Sequence, residues 1–327
     1  MLYEFSDIID PKELPRRLSH LKWHITGFID GDGSFPVILS PDPSKRFGWL
    51  IQPRFEVELR RSDDSMIMLK IISRAMVIHA KIREGDNNLK LIVTNRRLLL
   101  EKVIPFFLRY RPVIKWAEFS LMRYVAESLQ AGKHLSYDGF REIVRRIFSL
   151  PANGETRRKW MIEDIIPGEK PLEYEWPKPR FPKGVVALKH YTAGFIDAEG
   201  CLGYAVNRAT RSITPYLTIT HRELEVLRRI KQVLGCGEIS GGRLQIYGIE
   251  NICSRVIPFL DRQKLIAKRS TYKRFKHILN MILDKEHKRD FNKVLKLVKA
   301  LNKPARGSSE TIRRAPSAEG EDMVQHP

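Results

Sequence analysis

Two short phrases place acids where they could do chemistry. Residues 25–33 read ITGFIDGDG and residues 192–200 read TAGFIDAEG. Each ends an apolar run with two acids one residue apart, Asp30 and Asp32 in the first copy and Asp197 and Glu199 in the second. A glycine follows, Gly33 or Gly200. A single Asp-Gly is an ordinary turn signal, but two copies that also share Gly-Phe-Ile-Asp point to a duplicated element. Leu21, Ile25, Phe28 and Ile29 fall at helical spacing, so the phrase predicts a helix that its glycine stops in a left-handed conformation. Gly27 and Gly31 are four apart, as are Gly194 and Ala198, which gives each helix a face of small residues where two backbones can touch. If the copies cross there, their C-terminal ends meet, and Asp32 and Glu199 lie together at the negative ends of two helix dipoles. Such an arrangement calls for a cation, and a hard divalent ion held by carboxylate oxygens suits it.

The elements around each phrase recur in one order. After the first, Phe35, Val37 and Leu39 predict a strand. In a second strand Ile51, Pro53, Phe55, Val57 and Leu59 share one face and Gln52, Arg54, Glu56, Glu58 and Arg60 the other, a sheet with one face buried and one wet. A helix over 63–76, capped by Ser62 or Asp63, precedes strands near 77–83 and 88–94, with His79, Lys81 and Arg83 on the polar side of the first. Helices near 96–108, 115–130 and 137–149 follow. The second phrase leads to strands at 202–206 and 213–220, a helix from Leu224, a hairpin across Gly241-Gly242, and helices near 249–260, 268–284 and 287–302. The pattern predicts an α+β fold of two pseudo-symmetric αββαββα halves. Each half is a four-stranded antiparallel sheet with helices on one face, and the halves join at the paired helices. The expected division is 1–150, a Pro-rich linker over 151–186 in which Trp160 and Trp176 pack in places, 187–302, and a disordered tail over 303–327.

Composition narrows the partner. Fifty-eight Lys and Arg against thirty-eight Asp and Glu leave a net charge of +20 in 327 residues, which points to a polyanion. Cys201, Cys236 and Cys253 are odd in number and lack metal spacing, so they read as reduced thiols. No run is long and apolar enough for a membrane span, and the N-terminus is too acidic and polar for a targeting peptide. His20 and His24 could share a helical face but lack a third zinc ligand, and are read as surface or DNA-facing residues.

Together the phrases resemble the paired motifs of the LAGLIDADG homing endonucleases, with the likeness covering roughly 18–128 and 187–285. The resemblance implies a single-chain, monomeric endodeoxyribonuclease that hydrolyses phosphodiester bonds with Mg²⁺ or Mn²⁺ in a long, non-palindromic target. Asp32 and Glu199 then occupy the metal-binding catalytic position, while Asp30 and Asp197 take an interface or helix-end role. The family's lysine after the third helix falls at Lys115 and Lys268, although either could equally be a helix-surface lysine. Two further polar positions near the metals fall at Leu59 and His221, and leucine cannot orient water. The saddle that the sheets form over DNA would present Gln52, Arg54, Glu56, Glu58, Arg60, His79, Lys81, Arg83 and Lys90 from one half. The other half would present Asn207, Arg211, Thr214, Tyr216, Thr218 and Arg243. For this family, localisation means an organelle that encodes the gene, or a prokaryotic or phage-infected cytoplasm.

Other readings fit less well. A bilobal aspartic protease would also need two Asp-Gly phrases, but Glu199, the helical run before each acid and the charge oppose it. An EF-hand would need a glutamate where Pro41 stands. On the same fold, an RNA maturase that binds its host intron or a non-cleaving DNA-binding regulator remains open, because a basic surface serves RNA and DNA alike.

Overall fold

The computed structural model describes residues 2–150, 159–176 and 180–302. The expected disorder of 303–327 and three of the linker prolines (151, 177 and 179) lie outside them. Two short 3₁₀ turns, Leu2–Phe5 and Pro11–Glu13, lead into helix α1 (Leu18–Asp32). Its Leu21, Ile25, Phe28 and Ile29 are fully buried, as their spacing requires. The helix does not end on a left-handed glycine. Gly33 has φ −90° and ψ 172°, extended backbone that runs straight into a strand, and Gly200 likewise has φ −70° and ψ 132°. Glycine is needed for closeness instead: a Cβ at Gly33 would come within 2.6 Å of the Ile29 side chain.

The first half continues with β1 (Gly33–Ser34), β2 (Val37–Pro41), β3 (Trp49–Pro53) and β4 (Phe55–Arg60). The expected two strands are thus each split, because Pro36 has no N–H to give the ladder. Pairing keeps its register across the gap, from Val37 opposite Pro53 to Ser34 opposite Glu56, and the Arg54 N–H bridges it by donating to the Pro36 carbonyl at 2.9 Å. Helix α2 (Asp63–Ala75) is capped by the Ser62 hydroxyl, which accepts from the Ser65 N–H. Then come β5 (Ile82–Glu84) and β6 (Asn88–Val93).

The expected strand over 77–83 is a correction. Val77 and His79 have φ of 55° and 43°, and the Ser73 carbonyl and hydroxyl accept from the Ile78 and Ala80 N–H groups. The chain is therefore wound around the end of α2, and only Arg83 of the expected trio stands in a strand.

Helix α3 spans residues 96–109 with a widened turn at Leu99–Val103 just before Pro105, which can neither donate nor fit a tight turn. Helices α4 (Trp116–Gln130) and α5 (Tyr137–Ser149) follow.

In the second half, helix α6 (Val185–Glu199) leads into β7 (Gly200–Asn207), β8 (Ser212–Thr220), α7 (Leu224–Leu234), β9 (Glu238–Ser240) and β10 (Arg243–Tyr247). Helix α8 over 249–263 repeats the widened turn, at Ile252–Val256 before Pro258. It is followed by α9 (Arg269–Leu283), α10 (Glu286–Arg289) and α11 (Phe291–Asn302); the single helix expected over 287–302 is broken at Asp290.

Two of the three sheets are antiparallel and four-stranded, in the orders β1-β4-β6-β5 and β7-β8-β10-β9, the same path through two copies, and β2 and β3 pair as a separate ribbon. Each has its own apolar core. A third core, without a counterpart in the second half among the described residues, joins the β2–β3 ribbon to α4, α5 and the buried Ile162, Ile165 and Ile166. There Trp160 packs edge-on against Trp49, and the Trp176 indole donates to the Ser149 carbonyl at 3.3 Å.

Candidate active site

Helices α1 and α6 cross with their backbones in contact. A Cβ at Gly27 would collide with the Tyr191 carbonyl, one at Gly194 with the His24 carbonyl, and one at Gly31 with Ala198. The C-terminal ends therefore lie together, and the Glu199 side chain rests against Gly31. Asp32 opens onto a cleft of about 610 Å³ that Ser34, Lys115, Glu118, His221 and Arg222 also line. Its carboxylate meets solvent there while protein crowds it elsewhere. That crowding raises its pKa to about 6, helped by the charge of Glu199 and opposed by Lys268 and Lys115.

The helix ends already carry cations. The Lys115 ammonium donates to the carbonyls of Ile29 at 3.0 Å, Gly31 at 2.7 Å and Gly33. The Lys268 ammonium donates to those of Ala198 and, at 2.8 Å, Gly200. Neither is a free surface lysine: burial lowers the pKa of both, against the pull of the surrounding acids.

Asp30 and Asp197 explain how those lysines are placed. Asp30 accepts the N–H groups of Val113, Ile114 and Lys115 at 2.6, 3.1 and 2.9 Å, and the Tyr191 hydroxyl at 2.7 Å. Asp197 accepts those of Ile266, Ala267 and Lys268 at 2.7, 2.9 and 2.8 Å, and His24 Nε2 at 3.0 Å. Burial pushes the Asp30 carboxyl up, and its amide donors pull it back. His24 is wholly buried, which corrects its reading as a surface or DNA-facing residue, while the half-buried His20 stacks on His190 at 4.3 Å.

The halves differ beside the acids. His221 lies in the field of Glu199, with its pKa lowered by burial. Its Nδ1 accepts the Glu223 N–H at 3.0 Å, so its proton is on Nε2. In the first half Leu59 sits in the apolar core.

Hard oxygen donors at the helix ends suit a divalent cation. Four carboxylates, Asp30, Asp32, Asp197 and Glu199, surround two ammonium groups, leaving two formal negative charges. Among the described residues no cluster of three or more His, Cys, Asp or Glu could hold a metal by itself. A hard divalent cation can be held by one or two carboxylates where water and a phosphate complete its shell.

Most of the remaining candidates line the open sheet faces. Gln52, Arg54, Glu56, Glu58 and Arg60 alternate with buried neighbours. Glu58 pairs with Lys90 at 2.7 Å, opposite which Arg83 stands, and Arg54 donates to the Gln52 side chain. Thr214, Tyr216 and Thr218 share the second sheet's open face with Arg243, while Asn207 ends β7 with its side chain accepting the Thr210 N–H of the turn to β8, in which Arg211 has φ 52°. His79 and Lys81 are exposed but lie off the strand.

Gln245 and Tyr247 pair across from Thr218 and Tyr216; they were missed, although the alternation of β10 carried the signal. Also missed was a clasp between halves. Asp64 accepts the N–H and hydroxyl of Ser270, and Glu13 pairs with Arg269 and Lys273 at 2.8 and 2.6 Å. Nothing local in the sequence marks it.

The duplicated sheets and the paired acids at a helix crossing define a two-motif nuclease-type fold, and the comparisons agree. The LAGLIDADG endonuclease family matches residues 25–126 and 192–279, and the chain belongs to that family. Probable intron-encoded endonuclease 2 of Neurospora crassa is 24% identical over 86% of this chain, which spans 65% of that protein's length. Probable intron-encoded DNA endonuclease 1 of Mycosarcoma maydis is 23% identical over 79% of this chain and 98% of its own. In fold, the chain resembles the I-LtrWI LAGLIDADG homing endonuclease bound to target DNA, with TM-score 0.76 and 24% identity over 88% of this chain and 99% of that one. I-SmaMI bound to uncleaved DNA in the presence of calcium follows at 0.73 and 21%, covering 86% and 97%.

Proposed function

We propose that the protein is a monomeric, site-specific DNA homing endonuclease that makes a staggered double-strand break in a long, non-palindromic target by metal-dependent hydrolysis. One observation carries this: Asp32 and Glu199 meet at the crossed helix ends, between two open sheet faces, in a cluster short of two positive charges. The candidate contacts of the first half are mostly charged and those of the second mostly neutral, which supports a non-palindromic site. A two-stranded ribbon fits the major groove, where Arg and Lys favour guanine and Glu accepts from cytosine.

Asp32 and Glu199 would hold Mg²⁺, which when bound supplies an activated water and a Lewis acid for the phosphate. Lys115 and Lys268 hold positive charge at the helix ends, where a phosphate must approach against the dipoles. The His221 Nε2–H can donate to water or phosphate, a service that Leu59 cannot give, so the two strands are cut at unequal rates. The fungal relatives named as intron-encoded support a gene borne by an intron, with the protein acting in the compartment that encodes it.

Incubation with a randomised DNA library in Mg²⁺, followed by sequencing of the ends, tests this reading. The expected result is one long asymmetric site with offset cuts on the two strands. Random nicking, or no cutting with binding preserved, would refute it.

A further inference from the structure

We infer that His24 and Tyr191 are crossed positioning residues, each reaching from one motif helix to set the loop that carries the other half's active-site lysine. This rests on the endonuclease reading for its catalytic part. Each residue stands six positions before the sixth-position acid of its own phrase, yet each bonds the acid of the opposite phrase. Tyr191 donates to Asp30, whose carboxylate holds the N–H groups of Val113, Ile114 and Lys115. His24 donates to Asp197, whose carboxylate holds those of Ile266, Ala267 and Lys268.

All four side chains are at most 1% exposed, and both donors sit where the helices touch, at Gly194 and Gly27. Packing alone does not account for position 24. The His24 Nδ1 is buried without a hydrogen-bond partner among the described residues, a cost that an apolar residue of similar size would avoid. An imidazole in one copy and a phenol in the other share one property, an N–H or O–H aimed at the opposite acid. The arrangement couples each lysine to the helix crossing: rotation of one motif helix shifts the far half's ammonium relative to the acids, and small misplacements of such groups cost rate steeply.

The test uses Tyr191→Phe, His24→Leu and His24→Gln in the full chain. Loss of either donor leaves its acid with three backbone N–H partners, so the fold survives. Amide hydrogen exchange on the free protein should quicken about fivefold at 113–115 alone in Tyr191→Phe, and at 266–268 alone in His24→Leu. His24→Gln keeps an N–H and should restore protection. In single-turnover cleavage Tyr191→Phe and His24→Leu should each slow one strand about tenfold, a different strand for the two, with His24→Gln near wild type and DNA affinity unchanged.

Exchange that does not change, or that changes in both loops at once, would overturn the inference, as would equal slowing of both strands or a Gln variant no better than Leu. If the wild type cuts no DNA, the endonuclease reading fails, and the exchange arm still decides the bracing role.

Discussion

Asp30 and Asp32 stand one residue apart and differ in what surrounds them. Asp30 is saturated by three amides and a phenol, whereas Asp32 makes no hydrogen bond among the described residues and faces the cleft. Asparagine at position 30 would point an NH₂ at backbone donors and should cost on the order of 1–3 kcal/mol by urea unfolding. Asp32→Asn removes a charge crowded by Glu199 and should leave stability equal or higher.

The sequence distinguished the two acids only through the family likeness. It misjudged His24 because nothing near position 24 reveals a carboxylate from the far half. The equal offsets of positions 24 and 191 within the repeat were the available clue.

His190 makes a pH prediction at the same scale. Burial holds its pKa down to about 3, helped by His20 and His24 nearby. Its neutral form is the folded one, so this contribution is intact above the unfolded value near 6.5 and is lost as pH falls below it. Between pH 7 and 5 the stability of wild type should drop relative to His190→Leu, by at most about 1.4 kcal/mol per pH unit. Urea midpoints at the two pH values check it, and parallel curves would contradict it.

At the scale of elements, the helix crossing depends on absent side chains. Gly27→Ala and Gly194→Ala each drive a methyl into a backbone carbonyl that cannot rotate away, and each should cost at least about 1–3 kcal/mol. Thermal unfolding of the two variants measures this, and wild-type midpoints would mean that the helices do not meet here.

Periodicity predicted the clean alternation of β4, because one face of it is buried; the paired helices, buried on every side over 24–30 and 190–197, were legible through the repeated phrase instead. Periodicity failed where local bonding outweighs pattern. The segment after α2 reads as a strand, but hydrogen bonds to Ser73 wind it back. The first hairpin reads as unbroken, but Pro36 interrupts its ladder. The glycine ending each motif reads as a left-handed cap, although its role is to let the strand start against Ile29 or Ile196.

At the scale of the whole molecule, duplication made the fold legible, since two weak patterns in one order reinforce each other. The third core was only hinted at by Trp160 and Trp176, because its partners are distant in sequence. The net charge of +20 predicts that DNA affinity falls about 10³-fold or more between 50 and 200 mM salt, with a log–log slope set by the phosphates neutralised. A flat slope would mean that the basic excess lies away from the bound duplex.

The central claim is that Asp32 and Glu199 together make a metal-dependent nuclease. Its most direct test compares wild type with the Asp32→Asn, Glu199→Gln double variant on the selected target, with cleavage followed in Mg²⁺ and binding in Ca²⁺. The account predicts double-strand cutting by wild type in Mg²⁺ only, and none by the variant at equal affinity. Cutting that persists in the variant, or a wild type that binds the site and never cuts it, would contradict it.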